Sequence, residues 1–332
     1  MHGSAPNASR QPVLLAVDGN SLGHRAFHST RDDPDGGAHA VTGAVLSMLA
    51  TTWSYGPYDG VLVGFDHPVN HRKRDHPEYK ANRIETDPDL RESLVRLRSD
   101  LAACGFTVVE TEGVEADDLL AAAVDGCTDR GWRCDLLSSD RDLTALVATD
   151  TRLLRPKATF ADLVVEDVEE VRRTYGIEPH QYVDLAALRG DPSDGLDGVT
   201  GIGPRIAARL LRDHGSVTGL YDAIVDLPPK IEAALRAGRE KVERNLVLMA
   251  PVPHLEVDVT APIAAGIDLD RVEAALSELG LEQVSRRFSR SISAPMPPPA
   301  PPPPDDPDPH PTPPRRARPE PVASQGEQAA LF

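Results

Sequence analysis

The sequence predicts an α/β fold built on a mostly parallel sheet, followed by an all-α region and a proline-rich tail. Three observations carry this reading. Four continuous apolar runs bounded by Gly or Asp ("PVLLAVDG", "DGVLVGFD", "GFTVVETEG" and "RCDLLSSD") have the composition of strands buried on both faces. Segments of helical periodicity alternate with them, among them "AVTGAVLSMLATTW", "LRESLVRLRSDLAACG" and "ADDLLAAAVDGC". Three of the runs finish on a carboxylate: Asp18, Asp66 and Asp140, with Asp142 two residues on. In open parallel sheets ligands bind at the carboxyl ends of the strands, which is where these acids fall.

The elements divide the chain in order. Residues 1–11 are expected to be a polar, flexible N-terminus without an apolar signal core. Residues 12–180 hold the strand and helix alternation. From about residue 176 the pattern turns helical, through "EPHQYVDLAALRG", "DPSDGLDGVTGIGPRIAARLLRDHG" and "SVTGLYDAI", and a second, all-α region extends over 181–290. Residues 291–332 carry about half of the chain's 31 prolines and cannot build a packed core, so they read as a disordered, partly polyproline-II tail.

Composition narrows the classes of function. A chain of 332 residues has room for one large and one smaller domain. Its formal charge of −17 opposes a nucleic-acid partner unless the acids are concentrated in one site and the bases in patches. The three cysteines, Cys104, Cys127 and Cys134, show no metal spacing and suit a reducing cytoplasm. No window reaches membrane-spanning length, so the expectation is a soluble, cytoplasmic protein.

The acids are indeed concentrated. "VEADDLL" places Glu115, Asp117 and Asp118 at the head of an apolar helix, where one or two carboxylates would serve as ordinary caps. Adding Asp18, Asp66, Asp140, Asp142, Asp191 and Asp194 gives nine candidate metal ligands. Neighbouring carboxylates repel by about 1 kcal/mol per pair at 4 Å in water and roughly 4 kcal/mol at an effective dielectric of 20. Divalent cations relieve that repulsion, and an all-oxygen set favours Mg²⁺ or Mn²⁺ over Zn²⁺. Two such ions are the usual apparatus for phosphodiester hydrolysis, although the sequence does not count them.

The bases are clustered too. "HRKRDHPEYKANR" gathers Arg72, Lys73, Arg74, Lys80 and Arg83 around Tyr79, either a solvated face or a single-strand binding surface that combines charge with stacking. "GVTGIGPRIAARLLR" sets Arg205, Arg209 and Arg212 behind a Gly201-Ile202-Gly203 turn, either a helix-packing motif or a phosphate cradle at a helix start.

Taken together, these motifs resemble the 5′-3′ exonuclease and flap endonuclease family, which includes the N-terminal nuclease domain of bacterial DNA polymerase I. The resemblance covers residues 12 to 290 through "LLAVDGNSLGHRAF", "GFDHP", "YKANR", "VEADDLL", "SSDRDL" and "GDPSDGLDGVTGIGPRIAARLL". It implies a PIN-like, resolvase-like nuclease core with a helical arch at about 68–98, and a helix–three-turn–helix clamp on duplex DNA. It further implies two Mg²⁺ or Mn²⁺ ions on the acids, catalytic roles for Lys80 and Arg83, stacking by Tyr79, and substrate contacts from Arg25 and Arg72. At the hairpin it implies phosphate contacts from Gly201, Gly203, Arg205 and Arg209, and a K⁺ ion. Departures stand at Gly195 and Asp197, where the family has Asn and Pro, and at Arg205 and Ile206, where it has Lys and Thr. With no polymerase domain following, a free-standing, monomeric, nucleoid-associated enzyme is expected. Its substrates would be DNA with 5′ single strands or flap junctions, in replication or repair, with RNA primers or RNA–DNA hybrids as further candidates. The tail ends in "QAALF", which resembles a motif that docks on bacterial sliding clamps through Gln328, Leu331 and Phe332. The alternatives are a catalytically weak scaffold recruited to the clamp and an RNA-directed nuclease.

Overall fold

The computed structural model describes residues 10–31, 37–81, 87–157 and 162–294. β1 (Val13–Asp18) runs into α1 (Gly19–Thr30), and α2 (Ala40–Thr52) leads to β2 (Gly60–Phe65). After the short α3 (His71–Asp75) come α4 (Pro88–Ala103), β3 (Thr107–Glu110), α5 (Ala116–Thr128) and β4 (Arg133–Leu137). β5 (Thr151–Pro156) and β6 (Leu163–Glu166) complete the sheet, and α6 (Val168–Tyr175) leaves it. The helical region starts at α7 (Tyr182–Arg189) and a two-strand hairpin of β7 (Gly190–Asp191) and β8 (Leu196–Asp197). It continues through α8 (Pro204–His214), α9 (Val217–Asp222), α10 (Pro229–Met249) and α11 (Thr260–Ala265). α12 (Leu269–Glu278) and α13 (Glu282–Ser293) end the described chain.

The six strands order as β3-β2-β1-β4-β5-β6. All neighbours are parallel except β5 and β6. The fully buried runs "VLLAVD" and "GVLVGF" explain why the central strands show no polar alternation. Successive strands are added on one side of β1 and then on the other, so a crevice opens beyond the ends of β1 and β4. One face of the sheet is covered by α1, α2 and α4, packed through Leu22, Leu46, Leu97 and Leu101. The other is covered by α5 and α6, through Leu120, Ala123 and Val171. A separate core holds the helical region, with Tyr182, Leu211 and Leu235 fully buried.

Three features depart from expectation. The "RCDLLSSD" strand stops at Leu137, and Asp140 lies three residues beyond it. Within the arch expected at about 68–98, Leu90, Leu94 and Leu97 of α4 are buried in the main core, and residues 82–86 lie outside the described residues. The helical region expected over 181–290 also returns to the sheet at its end. Val272 and Leu276 of α12 and Phe288 of α13 join the sheet-side core, where Phe288 meets Trp53 and Phe106 edge to face at 5.4 and 6.0 Å.

Candidate active site

A cavity of about 740 Å³ opens beyond the strand ends. Asp18, Asp66, Glu115, Asp117, Asp140, Asp142 and Asp191 line it, together with Asn20, Ser21, His24, Lys80 and Arg189. Four of these acids are held by local structure. Asp18 caps α1, with Oδ1 accepting from Ser21 N at 2.8 Å and Oδ2 from Ser138 Oγ at 2.7 Å. Asp66 Oδ1 accepts from Ala116 N at 2.8 Å, and Asp140 Oδ1 from Asp142 N at 2.9 Å. Asp191 Oδ1 accepts from Ser193 N at 2.8 Å and also from the Ser193 hydroxyl. Asp194 stands behind the wall, 3.9 Å from Lys80 Nζ, and its carbonyl accepts from Lys80 N at 3.0 Å.

The electrostatics follow from this crowding. Burial first, then the Asp66 and Asp140 charges, push Asp18 up to about 7. Burial and then Asp140, Asp191 and Asp194 push Asp142 up to about 8. Asp117 rises well above the usual carboxylate range through burial and then Asp140 and Asp18. Proteins relieve such strain with protons or with cations, and hard divalent ions match an all-carboxylate wall. Among the described residues no group of three or more His, Cys, Asp or Glu side chains is by itself arranged to hold an ion. The acids form an open wall rather than a cage.

Glu115 differs from the other acids. Its Oε1 accepts from Lys80 Nζ at 2.7 Å, and its Oε2 from Arg72 at 2.8 Å and Tyr79 Oη at 3.2 Å. Burial alone would raise it, but Lys80 and Arg72 hold it below the usual range.

Three expectations change here. Asp118 is turned from the wall, its two oxygens occupied by the Arg72 guanidinium at 2.7 Å each, so it serves as a buried counter-ion rather than a metal ligand. Arg72, expected to contact DNA, is 7% exposed and spent on Glu115 and Asp118. Tyr79, expected to stack on bases, is 4% exposed and packs against Leu196 and Leu248. Apolar burial of the ring and pairing of the guanidinium both outweigh exposure to solvent, which spacing alone does not reveal.

Arg25 is absent from the lining of the cavity, and its neighbour His24 is present. His24, Asn20 and Arg189 had no sequence signal beyond proximity to Asp18 and Asp191. Arg83 and the tail residues Gln328, Leu331 and Phe332 lie outside the described residues. A second cavity of about 1000 Å³ shares Asn20, His24, Asp66, Lys80 and Glu115 with the first and adds His28, Arg31, Lys73, Arg91 and Arg98. At the other rim Pro204 opens α8. Gly201 there has φ 86°, Gly203 caps the helix, and Arg205 and Arg209 are exposed on it.

A mostly parallel sheet with an acidic cavity at its strand ends, followed by a compact helical region, defines the class of fold. The chain belongs to the 5′-3′ exonuclease family: residues 13–176 match its N-terminal resolvase-like domain and residues 177–267 its C-terminal SAM fold. It is 36% identical over 249 residues to DNA polymerase I of Mycobacterium bovis, covering 73% of this chain and 27% of that protein. It is 32% identical over 281 residues to DNA polymerase I of Chloroflexus aurantiacus, covering 81% and 29%. The chain thus spans about a quarter to a third of the length of these relatives. In fold it is similar to the T5 D15 protein co-crystallized with metal ions, with TM-score 0.58 and 24% identity over 84% of this chain and 99% of that one. It is also similar to the catalytic core of Rad2 in complex with DNA substrate, with TM-score 0.54 and 15% identity over 85% and 92%. Among the described residues no helix is long and apolar enough to cross a membrane.

Proposed function

We propose that this chain is a divalent-metal-dependent 5′-3′ exonuclease and 5′-flap endonuclease acting on DNA. The observation that carries the reading is the wall of Asp18, Asp66, Asp117, Asp140, Asp142 and Asp191 facing one cavity with Lys80 on its rim. Family membership and the polymerase relatives support the same reading. Mg²⁺ or Mn²⁺ ions on these acids would neutralise the scissile phosphate and activate water. The chain's own groups do the rest. Ser21, Ser138 and the Ala116 amide orient Asp18 and Asp66 before substrate arrives. Lys80 supplies a fixed positive charge against the negative charge that develops on the phosphoryl group, and Arg83 is proposed to assist it. The exposed Arg205 and Arg209, behind the Gly201–Gly203 turn, suit duplex phosphates, and the turn is the proposed seat of K⁺. The basic second cavity suits the 5′ single strand. The "QAALF" end is proposed to dock on a sliding clamp, which would raise local concentration through the tail's reach.

The test is one panel of labelled 5′-flap, nicked, blunt and RNA-primed substrates, with Mg²⁺, with Mn²⁺ and with EDTA. Metal-dependent cleavage near the flap junction is expected. Cleavage that persists in EDTA, or none on any DNA, overturns the proposal.

A further inference from the structure

We propose that Arg72 is a positioning residue, which sets Glu115, and through it Lys80, relative to the carboxylate wall; the inference rests on the nuclease reading above. Arg72 leaves α3 and runs inward to meet two separate segments, the head of α5 and the stretch after α10. One terminal nitrogen donates to Glu115 Oε2 at 2.8 Å and to Asp118 Oδ2 at 2.7 Å. The other donates to Asp118 Oδ1 at 2.7 Å and to the carbonyl of Ala250 at 2.8 Å. Asp118 also accepts from Glu115 N at 3.2 Å and from Val252 N at 3.0 Å. Arg72, Lys80, Glu115 and Asp118 are each less than a tenth exposed, two charges of each sign.

The geometry joins the two halves of the site. Asp118 follows Asp117 on the head of α5, which rides on the sheet. Ala250 and Val252 follow α10, whose Asn245 amide donates to the carbonyls of Ala187 and Asp197 at 3.2 and 3.0 Å. Ala187 lies just before the hairpin that carries Asp191 and Asp194, and Asp197 ends it. Arg72 therefore stands where the sheet's acids and the hairpin's acids are referred to a common frame. The planar guanidinium fork satisfies two carboxylates and a carbonyl at once, and an ammonium lacks that geometry.

Arg72→Lys keeps the charge and removes the fork. Single-turnover cleavage of a 5′-flap with Mg²⁺ should fall about 10- to 100-fold, since misplacement by about 1 Å has effects of that order. Flap affinity in EDTA should stay within about two-fold, with the salt dependence unchanged, because a buried guanidinium touches no phosphate. In a Lys80→Ala background the same substitution should cost less than about three-fold, since residues acting through one another are not additive. Weaker binding with a salt slope reduced by about one, the mark of a phosphate contact, overturns the proposal. So does an equal loss in both backgrounds.

A second readout needs neither metal nor DNA. Acetylation of Lys80 by an N-hydroxysuccinimide ester, followed by mass spectrometry, should rise several-fold in Arg72→Lys and in Asp118→Asn; unchanged labelling in both overturns the proposal. A wild-type protein that fails to cut DNA would remove the nuclease reading, and the labelling would still decide whether Arg72 holds Lys80.

Discussion

Lys80 and Glu115 form a buried ion pair of 2.7 Å at the seam between the acidic and the basic cavity. Lys80 adopts φ 55°, a left-handed backbone rare for a side-chain-bearing residue, and its amide is tied to the Asp194 carbonyl. Strain of this kind costs about 1–3 kcal/mol and is retained where surrounding contacts over-determine it. Lys80→Ala should reduce single-turnover flap cleavage about 10²- to 10³-fold, the scale for losing one preorganised donor. Flap affinity should change far less. Rates within a few-fold of wild type would show that Lys80 serves the fold alone.

Charge, rather than shape, is the contribution of the wall. Asp140→Asn retains an acceptor for the Asp142 amide, and Asp191→Asn one for Ser193. Each should abolish cleavage while preserving or tightening DNA binding, since a negative charge beside the phosphate is removed. Gel-shift and cleavage assays on one flap substrate separate the two effects.

The raised acids make the metal-free protein sensitive to pH. With Asp18 at about 7 and Asp142 at about 8, the folded state holds more protons than the unfolded chain between the ordinary carboxylate value and those values. Their stabilising contribution is complete below the unfolded value and is lost as pH rises through about 7 to 8. In EDTA, Tm should fall between about pH 5 and pH 8.5, and Mg²⁺ should raise Tm most at the alkaline end. Asp142→Asn should flatten the profile in EDTA. A Tm rising with pH in EDTA for wild type would contradict the assigned shifts.

Gly190 begins the hairpin that carries Asp191, at φ 80°, with room for no side chain: an added Cβ would lie 2.3 Å from Gly198 N and 2.6 Å from the Leu196 carbonyl. Gly190→Ala should cost more than about 1 kcal/mol through backbone strain, because alanine disfavours this conformation. It should lower activity beyond the loss of folded protein. Denaturant melts alongside cleavage rates check both parts.

Phe288 tests the return of the C-terminal helices to the sheet. It is fully buried between Trp53 and Phe106. Phe288→Ala should destabilise by about 3–5 kcal/mol, the range for large aromatic truncations in a core. A change below about 1 kcal/mol would show that α13 contributes little to that core.

Much of this architecture was legible in the chain. β1, β2, β3 and β4 are continuous apolar runs, and α4 and α5 carry helical periodicity, so local pattern sufficed for them. β5 and β6 escaped notice because "TRLLRP" is broken by two arginines and β6 joins the sheet only by pairing antiparallel with β5, which local pattern does not specify. α12 and α13 read as more of the helical region, since amphipathic periodicity does not say which core a face will meet. His24 and Asn20 carried no pattern; only the turn of α1 brings them to the cavity.

The acids divide along the same line. By itself the sequence determined that Asp18 and Asp66 stand at strand ends, because an apolar run terminates where its first carboxylate cannot be buried unpaired. It likewise determined that Glu115, Asp117 and Asp118 open a helix. Tertiary structure decided what each then does. Arg72, 46 residues before Asp118 in the chain, takes that acid out of the wall, while Asp117 faces the cavity. Local pattern places a carboxylate on an element; only the partners packed against it determine whether its charge is already answered from within the protein or left for a cation to neutralise.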